Sequence, residues 1–157
     1  GGDVASVLSA GRSSRLYRAL IEATAFGARA ILEAFDAQGL ATRDIVACGG
    51  IAEKSPVVLQ IFADVTGRPI RLPRCFQASG LGAALHATVA SGYYQDLPAA
   101  VSRMTGLLDR AYLPNPAAQA VYDRLYTDYR LLHDYFGRGG NDVLKRLRTL
   151  RRDAGHV

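Results

Sequence analysis

DIVACGGIAEKSPVVLQIFADVTG, from Asp44 to Gly67, is the stretch that decides how this 157-residue chain folds. Ile45-Val46-Ala47-Cys48 is an apolar run too short for a stable helix, and it stops at two glycines, so it predicts a buried strand ending in a tight turn. Ser55 is a good N-cap, and Pro56 suits the first helical position, where no N–H is needed. Val57, Val58, Ile61, Phe62 and Val65 then recur at helical spacing until Gly67 stops the pattern. The unit is therefore strand, glycine turn, helix. Glycine at 49 and 50 leaves open the space beyond the strand's carboxyl end, where open α/β sheets hold their ligands. Two readings of the pair stand side by side: a turn that requires positive φ, or a flat wall for a ligand. The stretch has neither the Gly-x-Gly-x-x-Gly rhythm of a dinucleotide fold nor the Gly-Lys-Ser/Thr of a phosphate loop.

Outward from this unit, Arg68 to Pro73 predicts a second strand, parallel to the first through a crossover. A proline at each end points to an edge position. Upstream, apolar residues from Leu16 to Ala34 recur at three and four and predict a long, largely buried helix over about 14–37, capped by Ser14 and ended before Gly39. Glu22, among small residues of that helix, is most simply a hydrogen-bond partner for backbone. Gly1 to Ser13 reads as a loop or linker. Downstream, a small-residue loop over 77–82 leads into a helix over about 81–91, whose Gly80 and Gly82 are read mainly as packing positions. Beyond Gly92 the pattern is helical throughout, with helices over about 97–111, 117–136 and 142–153. Tyr122, Tyr126 and Tyr129 step by four and three, as a packing face does. His86 and His133 stand alone and His156 lies in a tail, so none is assigned catalysis or a metal.

Half of the residues are apolar and charges of both signs are dispersed, a globular composition. No apolar run approaches the roughly 20 residues that span a bilayer, and the first residues lack the features of a signal peptide, so a cytoplasmic protein is expected and no membrane partner. Cys48 and Cys75 have no metal-ligand spacing or disulfide framework and are read as reduced packing residues. The net charge of +5 comes largely from Lys145, Arg146, Arg148, Arg151 and Arg152. Val143, Leu144, Leu147 and Leu150 fall between them at helical spacing, which makes an amphipathic helix with a solvated basic face, without aromatic residues for base stacking and so without a nucleic-acid partner. The abrupt start at glycine leads us to expect a piece of a longer chain. No acid–base or nucleophilic constellation can be assembled from these residues.

As a string, CGGIAEKSPVVLQIFADVTGRPI (Cys48 to Ile70) closely resembles the C-terminal domain of the FGGY carbohydrate kinases. LYRALIEATAFGARAILEAF (Leu16 to Phe35) is similar to that family's long helix before the glycine loop, and GLGAALHATVASG (Gly80 to Gly92) to its Gly-Ala-Ala helix. LHDYFGRGGNDVLKRLRTLR (Leu132 to Arg151) resembles the tail of the branch that acts on L-ribulose.

The resemblance implies an α/β fold: part of an actin-like, ribonuclease-H-like ATPase lobe, helix-rich, with a short parallel sheet and a C-terminal helical extension over 93–157. It implies an ATP-dependent sugar kinase using Mg2+, whose catalytic aspartate and most of whose sugar pocket lie upstream, so that the isolated chain is inactive. The partners implied are the N-terminal sugar-binding lobe of the same chain and a sugar, L-ribulose or a related pentulose such as D-xylulose; a homodimer is compatible with it. A non-catalytic anion-binding helical module is the competing class. Carried over residue by residue, Gly49 and Gly50 match the glycine pair against the adenosine, and Ile51 follows them. Ser55 stands where relatives frequently have asparagine near the adenine, and Lys54 is close enough to take part. A lobe of this kind, alone, would expose an unusually apolar inter-lobe surface.

Overall fold

The structure, a computed structural model, describes residues 12–155. The loop expected over the first residues lies outside them up to Gly11, and so does His156. The described part is helix-rich with a three-stranded sheet, and it divides into two compact units, one up to Gln119 and one from Ala120.

Helix α1 spans Arg12–Ala37, so Ser14 sits inside its first turn rather than capping it. Gly39 does follow its end with φ of 79°. The apolar stripe is present, but the expectation that it is largely buried fails: Ala25 and Phe26 are buried, while Leu16 and Leu20 are 55 % and 61 % exposed. Periodicity identifies side chains that seek burial; it does not supply the surface that buries them. Glu22 accepts a hydrogen bond from Arg18 Nε at 2.8 Å, a side-chain ion pair.

Strand β1 is only Ile45–Val46. Helix α2, Gly49–Lys54, replaces the tight turn expected after it, with Cys48 at its N-cap and Gly49 at φ of 84°. Helix α3, Pro56–Thr66, begins and ends where the sequence places it. Ser55 occupies the N-cap without a side-chain capping bond, and Gly67, left-handed at φ of 65°, donates its N–H to the Ala63 carbonyl at 2.9 Å. The left-handed backbone is what favours glycine there; a Cβ would stand 2.6 Å from Gln119 Nε2, the end of a flexible side chain that can move aside. Strand β2, Ile70–Pro73, runs parallel to β1 with Ile45 opposite Ile70.

Two expectations need correction here. β2 is the central strand, not an edge, because β3, Leu107–Tyr112, pairs with its other side antiparallel. The sheet is therefore mixed. The helix expected over 97–111 is instead helix α5, Leu97–Met104, followed by Thr105 in extended conformation, Gly106 and β3. The prolines are tolerated because Pro69 precedes the strand, while Pro73 is its last residue, at an irregularity in the ladder. One face of the sheet carries the core: Ala52, Leu59, Ala63, Ile70 and Leu72 are buried together, with Ile45, Phe62, Leu108 and Tyr112 packed against them.

Asp64 of α3 ties the connection after β3 to this core. Its Oδ1 accepts from Gln60 Nε2 and from the Asn115 N–H, both at 2.8 Å, and Gln60 also donates to the Leu113 carbonyl at 2.8 Å. Asp64→Ala removes a buried carboxylate that accepts both bonds and should cost about 1 kcal/mol, read as a lowered urea midpoint; an unchanged midpoint would show the clamp to be idle.

Asp36, at the end of α1, accepts from the Thr42 N–H and the Thr42 hydroxyl, both at 3.0 Å, and pairs with Arg68. The Thr42 N–H above all holds its carboxyl below the usual 3.8; desolvation opposes it, and the Thr42 hydroxyl and Arg68 add smaller lowering effects. A depressed folded pKa adds stability that is full above the unfolded value and is lost as pH falls through the folded one. Asp36→Asn is thus expected to lower Tm at neutral pH, with the difference from the parent chain closing as pH falls through and below the usual carboxylate range. A difference that persists in acid would refute this account.

Helix α4, Ala78–Ala90, follows β2. α5 is capped by Asp96, which accepts from the Ala99 N–H at 2.8 Å. Helix α6, Pro116–Gly137, opens with Asn115 accepting from the Ala117 and Ala118 N–H groups at 3.0 and 3.3 Å. Tyr122 and Tyr126 on it are buried, as a packing face should be. Helix α7, Val143–Asp153, opens with Asn141 accepting from the Val143 N–H at 2.7 Å. It buries no residue. No helix among the described residues is long and apolar enough to cross a membrane.

Candidate functional site

Four of the five residues singled out in the sequence border one cavity. It has a volume of about 440 Å3 and lies between α1 and the α2–α3 segment. Gly50 and Ile51 come from the first turn of α2, Lys54 from its last, and Ser55 from the junction of the two helices. Val58 and Phe62 of α3 form the apolar floor. This size lies within the range of small-molecule sites.

The roles of the two glycines separate. Gly49 is not among the lining residues; its N–H donates to the Phe76 carbonyl at 2.9 Å and its positive φ turns the chain from β1 into α2. Gly50 lines the cavity, and a Cβ built on it meets nothing within 4 Å, so the space beside its backbone is free. The Ser55 side chain caps no amide and keeps its hydroxyl for other use. Ile51 is 68 % exposed, a large apolar side chain at the cavity rim. The wall is mostly hydrocarbon with a hydroxyl and an ammonium at its margin, a surface suited to a flat, partly polar ligand.

The opposite side comes from α1, which sequence reading took for packing alone. Tyr17, Ile21 and Thr24 line the same cavity. Their spacing of four and three puts them on one helix face, and a tyrosine and a threonine in such a stripe was the available signal. Thr24 donates its hydroxyl to the Leu20 carbonyl at 2.9 Å, so that donor is engaged.

Other sequence candidates lie elsewhere. Cys48 is exposed rather than packed, and Cys75 half-buried; both are free thiols. His133 is not alone: its Nδ1 is 2.9 Å from Asp134 Oδ1, and this bond, helped by Arg130 and Arg138, holds the Asp134 carboxyl below its usual range. No three His, Cys, Asp or Glu side chains come together to hold a metal among the described residues.

Comparison with known proteins gives this geometry its context. Residues 5–91 match the profile of the FGGY family of carbohydrate kinases, C-terminal domain. A ribulokinase from Halalkalibacterium halodurans is 45 % identical over 144 residues, 89 % of this chain and 26 % of that protein. A ribulokinase from Mycolicibacterium smegmatis is 46 % identical over 138 residues, 88 % of this chain and 24 % of that protein. The crystal structure of xylulose kinase from Rhodospirillum rubrum superposes with a TM-score of 0.63 at 34 % identity, covering 80 % of this chain and 25 % of that one. The chain thus spans about a quarter of the length of the curated relatives it matches. The α/β fold is part of an actin-like lobe, the cavity between α1 and α3 lies within the matched residues, and the chain belongs to the FGGY family of carbohydrate kinases.

Proposed function

We propose that this chain is the C-terminal, nucleotide-holding lobe of a longer ATP-dependent sugar kinase, and that the whole protein transfers the γ-phosphate of Mg-ATP to the terminal hydroxyl of L-ribulose. The observation that carries this reading is the convergence of Gly50, Ile51, Lys54 and Ser55 on one cavity in a chain of this family. Open space beside Gly50, an apolar floor of Val58 and Phe62, and the uncommitted Ser55 hydroxyl fit the adenosine part of ATP. Bound there, ATP supplies the phosphoryl group. This lobe's residues hold the base and keep water from it, whereas the catalytic aspartate and the sugar contacts belong to the N-terminal lobe. None of the described residues is assigned to Mg2+.

L-ribulose as the sugar rests on identity to the two ribulokinases that extends well past residue 91, where the family profile ends. The likeness to a xylulose kinase structure makes D-xylulose the sugar to test against it. A cytoplasmic enzyme follows from such chemistry, since ATP is supplied there. The deciding experiment is ADP release by the full-length protein with Mg-ATP and either pentulose. Turnover dependent on L-ribulose is expected; turnover with D-xylulose alone moves the assignment to that sugar, and none with either, in folded protein, ends the kinase reading.

A further inference from the structure

The α1 side of the cavity has a feature that the glycine pair does not explain. Tyr17, Ile21, Ser55 and Val58 border not only the 440 Å3 cavity but also a second one of about 390 Å3, which reaches Arg15 and Arg18. The tyrosine thus borders two open spaces, and it is 66 % exposed. Two aromatic rings line the larger cavity. Phe62 is half-buried and packed against the core cluster. Tyr17 is not among the core residues and takes part in no ring pair or hydrogen bond among the described residues. Across the cavity, Ile51 is exposed to the same degree. An aromatic ring and a branched aliphatic chain left uncovered on opposite sides of one slot are what a flat heterocycle covers on both faces.

We propose that Tyr17 is the aromatic wall of the nucleotide site, its ring stacking on the purine while Ile51 covers the other face. This rests on the reading of the cavity as the seat of the nucleotide base. Stacking engages the π-face of a base and not its edge, so Tyr17 contributes equally to nucleotides that differ at the purine 6-position. It acts on binding and not on phosphoryl transfer. Its phenol hydroxyl is dispensable.

The test is steady-state kinetics of the full-length enzyme with ATP and with ITP as varied substrate. Tyr17→Ala should raise KM about tenfold for both nucleotides by the same factor, leaving kcat and the sugar KM unchanged, whereas Tyr17→Phe should behave as the parent. The exposed position makes loss of folding an unlooked-for result, and the melting temperature of each variant checks it. Gly50→Arg in the same assay separates two failures. If Gly50→Arg leaves the ATP KM unchanged, the cavity is not the base site and both readings fall. If it raises that KM while Tyr17→Ala does not, or if Tyr17→Ala lowers only the melting temperature, the ring packs against another part of the chain and this inference alone is overturned. Unequal effects on ATP and ITP would likewise overturn stacking in favour of an edge contact.

Discussion

Gly50→Arg in the full-length protein is expected to lower kcat/KM for ATP at least about 100-fold while the melting temperature stays close to that of the parent. The two halves of this result have separate causes. Gly50 does not carry a positive φ, and a Cβ there meets nothing within 4 Å, so the backbone accepts a side chain without strain or collision. The same open space is the cavity wall, and an arginine placed there occupies the volume a nucleoside needs and brings its charge into a largely apolar slot. Binding is lost and folding is kept. Kinetics with ATP varied, beside a thermal melt, decide the matter. A variant that keeps its KM for ATP would exclude the cavity from nucleotide binding, and one that fails to fold would show that Gly50 serves the chain's conformation after all.

Leu72→Ala should produce the largest loss of stability, about 3 kcal/mol within the 2–5 kcal/mol that such truncations cost. Leu72 is fully buried in the central strand, in one cluster with Ala52, Leu59, Ala63 and Ile70. The strand is hydrogen-bonded on both sides, so its backbone cannot shift to fill the space left by three missing carbons. The midpoint of urea unfolding followed by circular dichroism measures the loss. A change under about 1 kcal/mol would mean that the sheet relaxes around the gap and that the core is looser than its burial indicates.

Where local signals are self-sufficient, the sequence was readable. Pro56 and Gly67 bound α3, Asn115 opens α6 and Asn141 opens α7, because each acts on backbone only a few residues away. Strand β3 was not readable. Leu107 to Tyr112 has no alternation of apolar and polar residues, and what makes it a strand is pairing with β2, which no local propensity announces. The same blindness assigned β2 to an edge. Burial of α1 was overestimated because a stripe at helical spacing says nothing about how much covering surface lies within reach. The candidate site was half legible: the glycine loop supplied Gly50, Ile51, Lys54 and Ser55, whereas Tyr17, Ile21 and Thr24 come from a helix some thirty residues earlier and join them only in three dimensions.

Strand β3 and the Asp64 clamp make the limit of family similarity a poor place to cut the polypeptide. The profile of the family ends at residue 91, whereas the sheet and its buried carboxylate do not close until Asn115. A version trimmed at residue 91 would keep every residue that lines the cavity, yet strip one side of β2 of its hydrogen bonds and uncover the apolar surface that Leu108 and Tyr112 shield. A naked central strand is a template for intermolecular pairing, and such a product would be expected to aggregate before its ligand could be offered. The shortest unit that can be handled in isolation is therefore set by hydrogen bonding, not by sequence likeness, and it reaches at least to the first turn of α6.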